Sequence, residues 1–258
     1  MRVIYLTFLA GLILLFGASK AFASSAKEIR ITLESGRYDL AIEQGSALGT
    51  ADGFVLAAEA LNAKLLLGKA DKKTKTAKKA MKLAQAALAL EPNNAEAQLQ
   101  YALAYGFYGR HASTFKAWRK NLPTKILAEI DKAAIMAPND SRIDALKGAW
   151  HLTLLYRANG FDMEKRYGAN AVIGKAFFQK ALAQNNDDII LRANSLMLEY
   201  VLAPEELSAK TKLALGNTLL PLKPRNAVEQ QVLEQMQAVY MGFETGDALR
   251  QAEKFVTQ

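Results

Sequence analysis

Residues 86–97 read Ala86-Ala87-Leu88-Ala89-Leu90-Glu91-Pro92-Asn93-Asn94-Ala95-Glu96-Ala97. Alanine and leucine favour helix. Pro92 then stops it, because proline has no amide donor and clashes with the preceding turn. Asn93 and Asn94 follow with side-chain oxygens able to cap the next helix. Worn copies recur as Lys132-Ala133-Ala134-Ile135-Met136-Ala137-Pro138-Asn139-Asp140 and as Gln179-Lys180-Ala181-Leu182-Ala183-Gln184-Asn185-Asn186-Asp187. A second phrase, Gly36-Arg37-Tyr38-Asp39-Leu40-Ala41-Ile42-Glu43, places a glycine turn before a helix. A recurring stop-and-start grammar means stacked helical hairpins, not one globular core.

The rest of the chain keeps this pattern. Breaks fall at Gly36, Gly53, Gly68, Pro92, Gly109, Pro123, Pro138, Gly160, Pro204, Pro224 and Gly246, leaving segments of ordinary helix length. Six hairpins follow, pairing 25–35 with 37–48, 51–67 with 74–90, and 95–108 with 124–136, then 141–158 with 171–184, 187–202 with 205–219, and 226–243 with 247–256. Gly36, Gly109 and Gly246 are expected at tight turns between partner helices. Thr50 or Asp52 is expected to cap the second hairpin.

The first 23 residues read as an export signal. Arg2 gives a positive start, residues 3–18 are apolar, and Ala21-Phe22-Ala23 is a small-x-small cleavage site ahead of Ser24. Residues 24–258 form the repeat domain. No cysteine follows the apolar run, which excludes lipid attachment of the bacterial lipoprotein kind. The apolar stretch at 51–67 is interrupted by Asp52, Glu59, Asn62 and Lys64. The expected address is the periplasm, with secretion through a eukaryotic ER as the other route.

Cysteine is absent, so thiol nucleophiles and cysteine-based metal sites are excluded. Arg2 and Lys20 leave with the signal, so the net charge of +8 falls to +6. That balance favours anionic partners such as an anionic membrane surface or an acidic polymer. Nucleic acid is not expected in an exported chain.

These residues resemble the tetratricopeptide repeat (TPR) family, whose unit is two antiparallel helices with small residues at their closest approach. Gly36, Tyr38, Ala41 and Ile42 match the turn and second helix of one unit. Ala80, Ala87 and Pro92 match the small positions and closing proline of another. Ala102, Tyr105 and Gly109 match a first helix and its turn, and Gly148, Gly174, Phe178 and Ala181 match a fourth unit. Larger side chains there would push the helix axes apart. The resemblance implies an all-α solenoid of about six TPR-like pairs. The spacing departs from it. The family repeats at about 34 residues, yet Pro92 to Pro138 is 46 and Pro138 to Asn186 is 48. The surplus lies between partner helices, at 110–122 and 159–170. The last two hairpins match weakly, with Leu196 where a small residue is expected.

Three features are candidate sites. Lys75, Lys78, Lys79 and Lys82 share one helix face, an outer solvated face or an anionic-surface patch. Aromatic and basic residues interleave through the first insertion, where Arg110, His111 and Trp118 stand out. The resemblance places Leu99, Leu103, Phe107, Arg142, Leu152 and Met197 on the concave groove. No metal or cofactor site and no catalytic constellation is legible: His111 and His151 lie on different hairpins, neither with a carboxylate three or four residues away. The expected function is a non-enzymatic protein- or peptide-binding scaffold of the bacterial periplasm. The alternative is capture of a small apolar ligand, as by TPR-like accessories of substrate-binding transport systems. The two separate on whether the insertions close the groove.

Overall fold

The computed structural model describes residues 25–158 and 160–258. The expected signal, residues 1–23, lies outside them. Among the described residues the protein is all-helical, with fourteen α-helices and no strand. In chain order they are α1 (Ala26–Glu34), α2 (Tyr38–Leu48), α3 (Ala51–Leu66), α4 (Lys73–Leu90), α5 (Ala95–His111), α6 (Thr114–Arg119) and α7 (Leu122–Met136). Then come α8 (Ser141–Tyr156), α9 (Met163–Tyr167), α10 (Ala171–Gln184), α11 (Ile189–Leu202), α12 (Pro204–Ala214), α13 (Ala227–Thr245) and α14 (Ala248–Thr257). A π-helical turn, Leu215–Leu219, extends α12. None of the described helices is long and apolar enough to cross a membrane.

Local chemistry sets the boundaries. Ser25, Thr50, Asn94, Asp140, Asn170, Asp188 and Asn226 each accept a backbone N–H of the following first turn. These caps satisfy amide donors that an open helix end leaves unpaired. Two expected breaks are different in the structure. Gly53 lies inside α3, and Gly109 lies inside α5, which runs on to His111. Both glycines serve close approach, not turning. A Cβ on Gly53 would stand 2.6 Å from the Gly45 carbonyl of α2, and one on Gly109 would stand 2.5 Å from Ile126 Cδ1 of α7.

Most helices pack on a neighbour in sequence, α1 also packs on α3, α3 on α5 and α11 on α13, and α8 packs on both α10 and α11. Small residues sit where axes meet. Ala77, Ala80, Ala84 and Ala87 form the buried stripe of α4, and Gly148 of α8 faces Gly174 of α10. The last hairpin, α13 and α14, reaches back to the first helices. Gln231 Nε2 donates to Tyr38 Oη at 3.0 Å, Ala227 lies against Gly36, and Gln258 Nε2 donates to the Leu66 carbonyl at 2.7 Å. Ile29 and Leu33 of α1 therefore share one core with Val232, Met236 and Phe255. The apolar stripe of α13 needs a partner surface, and α14 and α11 supply most of it.

One region is packed differently. α5 contacts α4 and α7 extensively but α8 only lightly. The wedge between α5, α7 and α8 stays open inside, and both insertions lie across it.

Candidate functional site: a cavity under the two insertions

The wedge holds a cavity of about 480 Å³. Its α5 wall is Ala102, Leu103, Gly106 and Phe107, spaced at three and four residues so that they share one face. Ile126 and Ile130 of α7 come from the second side, and Leu146, Ala149, Trp150 and Leu154 of α8 from the third. Trp150 is held in place by its Nε1–H, which donates to the Pro123 carbonyl at 2.9 Å.

The insertions form the roof. The first is helical where a loop was expected: Ser113 caps the short α6 by accepting from the Lys116 amide. Asn121 then takes a left-handed conformation, φ 48°, and turns the chain into α7. That conformation suits asparagine, whose short polar side chain tolerates it. In the second insertion Asp162 caps α9, and Gly168 at φ 73° ends it. Phe115 and Trp118 of α6 meet Phe161, Met163 and Arg166 of the second insertion over the cavity. Arg166 lies 5.4 Å from the Trp118 ring centroid and 5.6 Å from that of Tyr167, a cation–π contact tying the two insertions together. Phe115, Trp118 and Phe161 are 65, 53 and 54 % exposed. Each therefore presents one side to the cavity and the other to solvent.

Charge in the cavity is all of one sign. Arg110, Arg157 and Arg166 line it, and no aspartate or glutamate does. Arg157 is committed: its Nη1 donates to the Gly109 carbonyl at 2.9 Å and to that of Arg110, and its Nη2 donates to the Ala112 carbonyl at 3.1 Å. It thereby closes the carbonyl end of α5, where a cation is favoured. Arg110 is not committed. Its guanidinium lies 5.1 Å from the Phe107 centroid, and no protein acceptor among the described residues takes its donors. Burial first, and then repulsion from Arg157, lower its pKa to about 10, so it keeps its charge at neutral pH.

The candidate residues divide clearly. Leu103, Phe107, Arg110 and Trp118 line the cavity. Leu99, Leu152 and Met197 do not face a groove; they are core side chains with 3, 0 and 0 % exposure. Neighbouring helices cover them. Arg142 is spent on a fork to Glu96, at 2.7 and 3.1 Å, and on Asp140. Lys75, Lys78, Lys79 and Lys82 stand exposed on the outer face of α4. Lys78 and Lys116 of α6 both approach the Tyr108 ring, at 5.6 and 5.3 Å, so the lysine face adjoins the first insertion. Sequence reading missed Trp150, Leu154 and Arg157. The length surplus at 159–170 was their only signal, and it pointed beside them.

His111 lies outside the cavity lining, its Nε2 buried without a partner. Burial, with Arg110, Lys73 and Arg157 nearby, lowers its pKa to about 4 from 6.5, against a smaller opposing contribution from a backbone hydrogen bond at Gln258. His151 is shifted the same way by burial, and its Nδ1 accepts the Asn170 amide at 3.1 Å. The unfolded chain binds these protons more readily than the folded one. The stabilising contribution of neutral His111 is complete above pH 6.5 and is lost as pH falls toward 4, and that of His151 is lost in the same direction. Thermal melts are therefore expected to show Tm falling as pH drops below 6.5. His111→Gln should flatten that slope, and an unchanged slope would remove His111 as its source.

Among the described residues no group of three or more His, Asp or Glu side chains is placed to hold a metal ion. Compared with known proteins, the chain matches no family model, and a search of curated proteins returns no significant match. The likeness to TPR proteins rests on the residues quoted above.

Proposed function

We propose that this is an exported, non-enzymatic binding protein that captures a small apolar ligand, built as a closed variant of a TPR-like solenoid of six hairpins. The cavity of about 480 Å³ between α5, α7 and α8 carries the reading. Its size is in the range of small-molecule sites, and it shares their make-up of mostly apolar walls with a few polar groups. A peptide scaffold needs an accessible groove, and three of the six groove residues lie in packed cores. The periplasmic address rests on the export signal read in residues 1–23. The basic surface around α4 and α6 suits delivery from, or hand-over to, an anionic partner surface.

Both tryptophans of the chain, Trp118 and Trp150, line the cavity. Titrating purified protein with an apolar naphthylamine probe should therefore quench or shift tryptophan emission with saturable, one-to-one stoichiometry. Native mass spectrometry of protein taken from periplasm should show a bound small molecule. An emission spectrum indifferent to the probe, with no co-purifying mass, would sink the reading.

A further inference from the structure

The cavity wall is apolar almost throughout, yet it contains Arg110, which no acid or carbonyl among the described residues pairs with. A charge set against apolar walls is costly unless it is paired or hydrogen-bonded. The protein pairs most of its other part-buried cations. Arg30 meets Glu59 at 2.6 Å, Arg142 meets Glu96 and Asp140, and Arg225 meets Glu229. Arg157 in the same wall has three carbonyl acceptors. Arg110 has the face of Phe107 on one side and open cavity on the other.

We propose that the ligand is a single-chain amphiphile with one carboxylate, whose head pairs with the Arg110 guanidinium while its tail fills the cavity toward Ile130 and Leu146. This rests on the cavity being a ligand site. Three observations support it. Arg110 presents free donors in a planar fork, the geometry that binds a carboxylate through two parallel hydrogen bonds. Arg157 and Arg166 add positive potential, and no acid in the lining opposes it, which disfavours a cationic ligand. Size sets the scale: about 480 Å³ is in the range of sites for single small molecules. One alkyl chain with its head suits a site of that scale.

The test compares three ligands of equal chain length, dodecanoate, dodecanol and dodecylamine, at micromolar concentrations below micelle formation. Affinity is read from tryptophan emission and calorimetry. Dodecanoate should bind at least about tenfold more tightly than dodecanol, the usual gain from a charge-assisted hydrogen bond, and dodecylamine most weakly. Arg110→Gln should bring dodecanoate down to the level of dodecanol without changing dodecanol itself. Arg110→Lys should keep part of the preference. If dodecanol matches dodecanoate on the unaltered protein, the carboxylate assignment is wrong and the cavity reading stands. If none of the three binds, the cavity reading fails and takes the assignment with it. If the preference persists in Arg110→Gln, the head is held elsewhere and the role of Arg110 is overturned. The ligand series on the unaltered protein decides the matter even where a variant fails to fold.

Discussion

Gly106→Phe is expected to abolish ligand binding while leaving the protein as stable as before, or more so. Gly106 is in the middle of α5, one turn before Arg110, and lines the cavity. A Cβ built there meets no atom within 4 Å, so a larger side chain enters the void without displacing its neighbours. A phenyl ring that denies the ligand roughly 100 Å² of apolar contact costs it about 2.5 kcal/mol, close to a hundredfold in affinity. Stability should move the other way. Glycine in a helix interior is worse than alanine by about 1 kcal/mol, which for a chain of this size corresponds to roughly 2–4 °C in Tm. Gly106→Ala separates the two effects, since it should raise Tm while leaving most of the cavity free. Unchanged affinity in a folded Gly106→Phe protein would mean that the ligand does not enter between α5 and α8.

Gly148→Leu should have the largest effect on stability. Its Cβ would lie 2.7 Å from Phe178 Cδ2 and 2.9 Å from the Gly174 carbonyl. Phe178 is 1 % exposed, so its ring has nowhere to go, and a backbone oxygen cannot rotate aside. Overpacking of this kind costs about 1–3 kcal/mol, and a leucine here belongs at the upper end. A loss of about 3 kcal/mol lowers Tm by roughly 6–12 °C in a protein of this length. The gain in helix propensity from losing a glycine offsets only part of it. Because α8 carries Trp150 and Arg157, the same change should also weaken ligand binding. A Tm within a degree or two of the original would show that α8 and α10 separate more easily than their contact implies.

The contrast between these glycines shows what the residues disclose unaided. Gly148 and Gly174 were legible as close-approach positions, because the resemblance to TPR proteins implies a small side chain there. Gly106 carried no such signal. Gly109 carried a misleading one: it resembles a turn residue, yet α5 continues through it because Ile126 must pack against that spot. Glycine serves turning and close packing equally well, and only the neighbour across the gap distinguishes the two uses. The groove residues make the same point. Leu99, Leu152 and Met197 occupy inward helix positions, but an inward position is a groove only if nothing fills it.

The identity of the long helices came from the sequence by itself, as did capping by the asparagines after Pro92 and the unusual length at 110–122 and 159–170. Those are local properties, set by hydrogen bonds and side-chain contacts within four residues along the chain. Tertiary structure alone decided that α13 and α14 return to α1 and α2, that both insertions roof one cavity, and that Arg110 stands in it without a partner while Arg157 beside it has three. The cavity gathers residues from Ala102 to Tyr167, on five helices and a loop. No local rule relates Trp118 to Arg166 or Arg110 to Arg157. Their meeting depends on how far α5 and α8 splay, which is a balance of packing across the whole stack.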